Sequence, residues 1–397
     1  MPSQLEKSII KIYVANIAIG FSLIGPIFVL YFQEVGLSLQ QIFILESINS
    51  FAILLFEVPT GFLSDKIGRK KSLLLSVISV EVAFLIYIFN KSFVSFIIAD
   101  IFYALAIALY SGTFSALLYD TLKEHNKEDE YKKVSGNMGF YTLLGVSVAS
   151  LLSGFLATIS LRLPFIINFF TYMVAFLVLL TIKEPKRAKA TNSKKELINA
   201  VKKTFFNGSK LKWVVLFSAS IYIFAQGAFY FYQPYLKQVG IDLVYFGIIF
   251  ASFQIVAAIG SKMAHKIEEK LGLIGTFLLI SLFVGGSLIL MSLYMLPISI
   301  IFIYAHQFVR FVKKIVVTDI INKNVDSSYR ATMLSLESFV SKLLIAVALP
   351  LFGYFGDNIG LSATLLFMGV GALVASLPIV FVLKGGDSVL FRKNRAA

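Results

Sequence analysis

Apolar runs without a charged residue recur along the whole chain. Each is long enough to cross the hydrocarbon core of a bilayer as a helix, which takes about 20 residues. They cover residues 12–33, 101–119, 134–161, 163–182, 213–236, 243–261, 271–309 and 358–383. The run 271–309 holds one span and the start of another, with a break at Pro297. Because these runs are solidly apolar and do not alternate, they predict helices and not the strands of a membrane barrel.

Further apolar spans are each interrupted by a small number of charged residues. They cover residues 40–64, 72–90, 92–120, 297–321 and 331–355. The predicted fold class is therefore an all-α membrane protein with twelve transmembrane helices. Composition agrees, since 15% of the residues are charged, against about 25% in soluble domains. The N-terminal stretch lacks a small-residue cleavage site before its apolar run, so we expect a first helix and not a removed signal.

The chain has a net charge of +14, and the distribution of its basic residues agrees with the predicted topology. With the N-terminus inside, almost all Lys and Arg residues fall on one side, and only Lys91, Arg162 and Lys237 fall on the other. This asymmetry is typical of cytoplasmic loops, so we expect both termini in the cytoplasm and the protein in the cytoplasmic (inner) membrane. The basic surplus is then explained by contact with an anionic leaflet, and we expect no nucleic-acid partner.

The chain divides into two similar halves. Residues 183–210 are polar and basic, and they predict a cytoplasmic linker between a six-helix bundle at 1–182 and a second at 211–397 with a short cytoplasmic tail. The halves repeat: YFQEVGLSL at 31–39 resembles YLKQVGIDL at 235–243. An even number of spans per half makes the repeats parallel. Two parallel, pseudo-symmetric bundles with a solute site between them are a transporter architecture.

A duplicated structural bundle without transport is the alternative. We favour a transporter because several ionisable residues lie at membrane depth, where they are costly unless they serve a function.

The stretch GFLSDKIGRKK at 61–71, which we call the elbow, joins the second and third predicted helices. We expect the second helix to end at Ser64 and the third to begin at Ser72. The elbow resembles the signature loop of the major facilitator superfamily in its bacterial drug-exporter-like branch. The matching residues are Gly61, Leu63, Ser64, Asp65, Lys66, Gly68, Arg69 and Lys70. The resemblance covers the whole chain, with twelve spans and a central basic loop.

The resemblance implies a latch that closes the cytoplasmic side in one of two rocking states. It places Asp65 toward the backbone near Arg330 and Ala331, and Arg69 toward Asp120. Gly61 would let a neighbouring backbone approach closely. The alternative is that the basic residues of the elbow only set the topology. The corresponding loop of the second half, 260–272, departs from the pattern, with His265 near the place of Asp65.

In this family the first, fourth, seventh and tenth helices line the central cavity, so their polar residues are the substrate candidates. They are Asn16, Tyr103, Tyr110, Gln226, Tyr230, Gln233, His306 and Arg310, with Lys342 of the eleventh helix as a further deep cation. Arg310 lies about halfway through its span, where an exposed charge costs at least roughly 3 kcal/mol. For Lys313 and Lys314 the simple expectation is snorkelling to the membrane surface.

Two acids of the first half, Asp100 and Glu46, are the candidate proton carriers, because burial shifts a carboxyl group toward titration near neutral pH. The alternative is that either acid pairs with Arg310 or Lys342. Glu57 lies near the elbow, and Glu81 lies on a helix that is usually peripheral in the family, so we favour them less.

Catalytic and cofactor motifs are missing from the sequence. It contains no phosphate-binding loop, no metal-ligand cluster and no nucleophile with its base, so we expect neither an enzyme nor a bound cofactor or metal. Energy for transport would come from an ion gradient or from the gradient of the substrate itself. The acids at membrane depth favour protons over sodium as the coupling ion.

The expected function is transport of a small-molecule substrate by a monomeric, proton-coupled efflux antiporter. The antiporter signatures that such exporters often carry in the fourth and fifth helices are absent. The alternative is uptake of a polar or anionic metabolite, and a remote one is a membrane sensor that moves nothing.

Overall fold

Residues 4–185, 211–325 and 329–384 are described by the computed structural model, and this part of the chain is all-α. The helices of the first half are α1 Gln4–Gly20, α2 Phe28–Glu34, α3 Leu39–Ile67, α4 Arg69–Phe89, α5 Phe93–Tyr110, α6 Thr113–Glu124, α7 Tyr131–Ile159 and α8 Leu163–Leu180. Those of the second half are α9 Leu211–Gln238, α10 Leu243–Leu293, α11 Ile300–Asn324, α12 Arg330–Asn358 and α13 Gly360–Lys384. Two short 3-10 helices, Glu128–Glu130 and Pro297–Ser299, complete the helices of the described residues.

The helices agree with the twelve predicted spans. Among the described residues, nine helices are long and apolar enough to cross a membrane. One of these, α10, is two helices that meet at Gly272, whose backbone φ of 66° is not helical. The first span, broken into α1 and α2, and the charge-rich α11 complete the set. The expected break at Pro297 is confirmed, since α10 ends at Leu293 and α11 begins at Ile300.

The chain forms two compact units. The first consists of Met1–Thr191 and Ile241–Ser252, and the second of Asn192–Gly240 and Phe253–Ala397. The first unit thus includes the opening turns of α10. Most of the predicted linker 183–210 lies outside the described residues, so the domain boundaries drawn from the sequence stay predictions.

Each unit has an aromatic and aliphatic core. In the first unit, Tyr31 lies against Phe165 with ring centroids 4.2 Å apart, and Phe32 lies 5.2 Å from Phe96. In the second unit, Phe217 stacks on Phe277 at 4.2 Å, among buried aliphatic side chains of α9 to α13. These cores hold the helices that carry the polar residues.

The first span is not the continuous helix that its apolar run predicts. The chain leaves α1 at Gly20 and enters α2 at Phe28, with Gly25 and Pro26 between them. Two backbone groups of this non-helical segment bond to the buried side chain of Asn168 on α8. Leu23 N donates to Asn168 Oδ1 at 2.7 Å, and Asn168 Nδ2 donates to Phe21 O at 2.6 Å. Non-helical backbone at membrane depth is tolerated only where protein groups or water satisfy it.

The fourth span is also broken. α5 ends at Tyr110, and α6 begins at Thr113 after Gly112, whose φ of 73° lies in the left-handed region. The corresponding spans of the second unit, α9 and α11, are single helices. The two halves therefore differ locally although their sequences repeat.

The elbow is tighter than the sequence predicts. α3 continues through Ser64 to Ile67, and α4 begins at Arg69, so Gly68 alone separates the two helices. The expected end at Ser64 and start at Ser72 are wrong, because the polar residues between them are compatible with helix and only Gly68 leaves helical geometry, with φ 113°.

Replacement of Asn168 by Leu is expected to lower the thermal stability of the protein in detergent. Two backbone groups of the broken first span would lose their partners, and each unpaired buried group costs about 1–3 kcal/mol. Asn358→Leu is the matched control, because Asn358 is exposed and bonds to Tyr354 O of its own helix. Equal melting temperatures for the two variants would contradict the role assigned to Asn168.

Candidate functional site

A carboxylate lies deep inside the first unit. Asp100 of α5 is 5% exposed, and its Oδ1 accepts a hydrogen bond from Tyr87 OH of α4 at 2.5 Å. Its Oδ2 has no hydrogen-bond partner among the described residues. The backbone of Asp100 is held from α3, where Asn49 Nδ2 donates to Asp100 O at 3.2 Å. Asp100 thus faces the neighbouring helices α3 and α4.

Glu46 belongs to the same cluster. It lies on α3, half-buried, close enough to interact electrostatically with Asp100, Tyr87 and Tyr103. Tyr87 is itself held in place, since its backbone carbonyl accepts from Tyr31 OH at 2.5 Å. We call Glu46, Tyr87, Asp100 and Tyr103 the acidic cluster. The structure therefore brings together both candidate proton carriers and one candidate substrate residue.

Asn16 and Tyr110 meet in a second polar contact of the first unit. Tyr110 OH donates to Asn16 Oδ1 at 2.8 Å, and Asn16 Nδ2 donates to Thr142 Oγ1 at 2.7 Å. Asn16 is buried on α1, and its amide joins that helix to α5 and α7. Both residues lie on the spans for which the sequence predicts cavity-lining positions.

The second unit holds a guanidinium at mid-span. Arg310 Nη2 donates to Gln226 Oε1 at 2.5 Å, and the guanidinium carbon lies 5.5 Å from the centroid of the Phe229 ring. A hydrogen bond and a cation–π contact thus stabilise a charge that the bilayer cannot solvate. Gln226 and Phe229 both lie on α9, so α9 and α11 form this contact.

Lys313 and Glu337 form an ion pair close to Arg310. Lys313 Nζ of α11 lies 3.7 Å from Glu337 Oε1 of α12, with side chains 11% and 19% exposed. The same oxygen accepts from Ser341 OH at 3.2 Å and from Ser218 OH of α9. The expectation that Lys313 snorkels to the surface is wrong, because it has a carboxylate partner inside the bundle. Lys314 is exposed, as expected.

The remaining cavity candidates occupy different environments. His306 is fully buried and contacts Tyr232 OH through Nδ1, while its Nε2 has no hydrogen-bond partner among the described residues. Gln233 is fully buried and Tyr230 nearly so, whereas Lys342 is half-buried.

Charged contacts surround the elbow. Arg69 Nη1 lies 2.8 Å from Asp65 Oδ1, one turn earlier, and Arg69 Nε lies 3.7 Å from Asp120 Oδ2 of α6. In the second unit, Arg330 is exposed and donates from Nε to Val325 O at 3.2 Å, and its expected approach to Asp65 stays a prediction. A Cβ built at Gly61 meets no other part of the first unit within 4 Å outside its own stretch of backbone. The close approach expected at Gly61 stays a prediction.

Glu184 caps the first turn of α4. Its carboxylate accepts from Arg69 N at 2.7 Å and from Lys70 N at 2.9 Å. A carboxylate at a helix N-terminus satisfies free N–H groups and complements the positive end of the helix dipole. It also fills the space beside Gly68, where a Cβ would lie 2.8 Å from Glu184 Oε1.

The sequence interpretation missed Tyr87, Asn168, Glu184 and Glu337. Glu337 had a detectable signal, because it interrupts an apolar span of the second half as Asp100 does in the first. Tyr87 and Asn168 had none, since one polar residue in an apolar run does not indicate its partner on another helix. Glu184 lies at the edge of the basic linker, where its charge is one among many.

The family model described as Major Facilitator Superfamily matches residues 12–336, and the chain belongs to that family. It is therefore a multi-pass membrane protein and a secondary transporter that binds a small-molecule substrate; the family consists of transporters and not of enzymes.

Individual relatives are distant. The chain is 24% identical over 382 residues to the uncharacterized MFS-type transporter YxaM of Bacillus subtilis, covering 93% of this chain and 94% of that protein. It is 22% identical over 262 residues to the quinolone resistance protein NorA of Staphylococcus aureus, covering 63% and 66%. The crystal structure of the nucleoside transporter NupG superimposes with a TM-score of 0.80 at 12% identity, over 96% of this chain and 100% of that one. This likeness confirms the predicted fold.

Replacement of Gly68 by Ala is expected to reduce the stability of the protein in detergent. Its φ of 113° disfavours an L-residue, and such backbone strain costs about 1–3 kcal/mol. The added methyl group would also displace the Glu184 carboxylate that caps α4. Gly61→Ala is the matched control in the same elbow, because Gly61 is helical with open space around it. The melting temperatures of both variants in detergent test this prediction. An equal decrease for Gly68→Ala and Gly61→Ala would contradict the role assigned to Gly68.

Proposed function

We propose that this chain is a proton-coupled antiporter that exports a small organic solute by alternating access. The observation that carries the proposal is the acidic cluster of the first unit. There Asp100 is buried with one oxygen held by Tyr87 and the other without a hydrogen-bond partner among the described residues. The distant similarity to proteins named for quinolone resistance supports export.

The acidic cluster suits proton exchange because its charge is poorly compensated. A buried carboxylate without a cation is costly, so it favours either a bound proton or a bound solute that supplies a hydrogen-bond donor or a positive charge. Glu46 adds a second negative charge close by. Binding of the solute would therefore release a proton, and return of the proton would release the solute, which is the requirement for antiport.

Uptake of a polar or anionic metabolite is the second candidate. It is favoured by Arg310, whose guanidinium lies at mid-span with Gln226 and Phe229 as partners. A guanidinium presents several N–H donors and binds carboxylates well. The direction of proton movement during transport separates the two candidates.

The elbow would act as a latch. The ion pairs of Arg69 with Asp65 and Asp120 join α3, α4 and α6 at the elbow. We propose that these ion pairs form in one of the two transport states. Release of these contacts would accompany the opposite state. Glu184 would hold the start of α4 fixed while the latch opens.

The charge distribution supports a proposal for the topology and the lipid contacts. We propose that both termini lie in the cytoplasm, that the basic residues contact an anionic leaflet, and that the protein acts as a monomer with bundles at 1–182 and 211–397.

Liposomes that contain the purified protein and an internal pH dye test the coupling. With a quinolone as the first probe, followed by small organic cations and anions, the parent is expected to move protons against the solute. Asp100→Asn is expected to reduce this exchange to background, because an amide does not gain and release a proton in the physiological pH range, and Glu46→Gln is expected to weaken it.

The matched control is Glu57→Gln, an exposed acid on the same helix as Glu46. Coupled exchange that survives in the double variant Asp100→Asn, Glu46→Gln would exclude the acidic cluster as the coupling site. Movement of protons together with the solute would favour uptake instead.

Loss of the latch is expected to slow cycling more than it weakens solute binding. Asp65→Ala and Asp120→Asn each remove one partner of Arg69, so initial transport rates in liposomes are expected to fall while binding affinity in detergent stays close to that of the parent. Asp319→Asn removes the exposed partner of Lys323 in the second unit and serves as the control. Unchanged transport by Asp65→Ala would remove the latch from the mechanism.

A further inference from the structure

One acid of the first unit has no partner. Glu81 lies on α4, and both of its carboxyl oxygens are buried without a hydrogen-bond partner among the described residues. No charged side chain in the described part of the chain is close enough to act on it. Asp100, by contrast, is bonded to Tyr87. Glu337 likewise has Lys313 beside it. The contacts of the fold therefore do not explain Glu81.

Glu81 lies near the middle of its span. It follows Arg69, the first residue of α4, by about 12 residues, which is about 18 Å of helix at about 1.5 Å per residue. Because the hydrocarbon core is about 30 Å thick, the lipid headgroups of either leaflet are on the order of 10 Å or more away. An acid at this depth is costly unless a proton or a ligand compensates it.

Glu81 stands at the edge of the lipid-facing surface of α4. Ile78 and Leu85, three residues before it and four after it, share its helix face and are 46% and 41% exposed. Phe84 is buried, and its ring centroid lies 5.5 Å from that of Tyr172 on α8. Tyr172 is also close enough to Glu81 to interact with it electrostatically. We call Ile78, Glu81 and Leu85 of α4, together with Tyr172 of α8, the α4–α8 seam.

The carboxyl group of Glu81 points away from the exposed side of this seam. The residue as a whole is partly exposed, while its two oxygens are buried, so the exposed part lies outside the carboxyl group. Glutamate has several staggered side-chain conformations. Rotation about its side-chain bonds would therefore carry the carboxyl group from the interior to the surface that faces hydrocarbon.

The second half shows that the fold does not need this acid. Its third helix is residues 273–293 of α10, and this stretch contains no charged residue. In the first unit, the ring of Phe84 already joins α4 to α8 through Tyr172 and Phe165. An ionisable group at membrane depth that packing does not require is typical of a functional site.

We propose that the α4–α8 seam binds a lipophilic amine dissolved in the bilayer. The nitrogen of the amine meets the Glu81 carboxyl group, and its hydrocarbon chain lies along Ile78 and Leu85. The carboxyl group and the amine share one proton, so the pair is neutral overall whichever of the two holds it. A hydrogen bond between an ammonium and a carboxylate is about twice as strong as a neutral one, which favours an amine over an alcohol.

The seam is separate from the acidic cluster. The side chains that act on Asp100 are Glu46 and Tyr87, and Glu81 is not among them. Binding at the seam goes beyond the proposed antiport and does not depend on it, because a ligand can bind there whether or not Asp100 carries protons. The source of the ligand is the bilayer and not the aqueous phase, since the exposed neighbours of Glu81 on its helix face are apolar.

Carbodiimide labelling tests whether Glu81 is reached from the hydrocarbon side. A carbodiimide adds a protonated carboxyl group across its C=N bond and leaves an N-acylurea on the acid, which mass spectrometry of peptides locates. The purified full-length protein in an uncharged detergent is treated at neutral pH with hydrophobic dicyclohexylcarbodiimide or with a water-soluble carbodiimide. We expect the hydrophobic reagent to label Glu81 and the water-soluble reagent to leave it unmodified.

Protection from labelling tests the class of ligand. Dodecyldimethylamine is the probe, because a tertiary amine does not form a stable amide with the activated acid. At about ten times its Kd it is expected to slow the labelling of Glu81 about tenfold, because the free fraction of the site falls with the ratio of ligand to Kd. Dodecanol has the same chain without the charge, and trimethylamine has the charge without the chain. Both are expected to protect Glu81 little.

Two variants separate the seam from general effects of the amine. Dodecyldimethylamine is expected to raise the melting temperature of the parent and to leave that of Glu81→Gln unchanged, because glutamine keeps the shape of the protonated acid and cannot become a carboxylate. Glu57→Gln removes an exposed acid of α3 and is expected to behave as the parent in labelling, protection and melting temperature. Size-exclusion profiles establish that each variant is folded.

Several results would overturn the proposal. They are absence of labelling at Glu81 by the hydrophobic carbodiimide, equal labelling by the water-soluble one, equal protection by dodecanol or trimethylamine, and stabilisation by the amine that persists in Glu81→Gln. The labelling is located at Glu81 itself and no measurement needs transport. Failure at the seam is therefore distinct from failure of the proton-exchange test at Asp100.

Discussion

A bilayer cannot solvate polar groups, so a charge, amide or free backbone group within a span is costly unless it finds a partner inside the protein. This constraint explains why several buried polar side chains of this chain are bonded to other helices. Asn168 satisfies the broken first span, Asn16 joins three helices, and Glu337 receives two hydroxyl groups and an ammonium. Polar contacts of this kind specify which helices are neighbours, since apolar packing alone is less selective.

The same constraint draws attention to the groups on which the proposed function depends. Asp100 has a hydrogen bond for one oxygen only, and Arg310 is compensated by an amide and a ring. Groups that are incompletely compensated are the ones whose protonation or binding changes most when a solute arrives. Among the described residues, the first unit holds Glu46 and Asp100 close together, whereas the second holds Arg310 and Lys313 close to Glu337. The two halves have thus kept one architecture while acquiring different charge chemistry.

Several features were predictable from residue patterns because they are local. The length of an apolar run predicts a span, and the turn at the elbow is indicated by Gly68 between polar residues. The proximity of Arg69 to Asp120 was implied only by resemblance to a family, and the structure places them 3.7 Å apart. The ends of α3 and α4 were misplaced because polarity was taken to end a helix, whereas backbone geometry ends it at Gly68.

By itself the sequence determined the number of spans, the duplication of the six-span unit and the class of transporter, because these depend on run length, repetition and a short motif. Only the tertiary structure decided that Asp100 contacts Tyr87, that Asn168 supports the broken first span and that Lys313 contacts Glu337 and does not snorkel. The physical reason is that a helical period indicates which residues share a face, while the partner of that face depends on how helices distant in sequence rotate and pack.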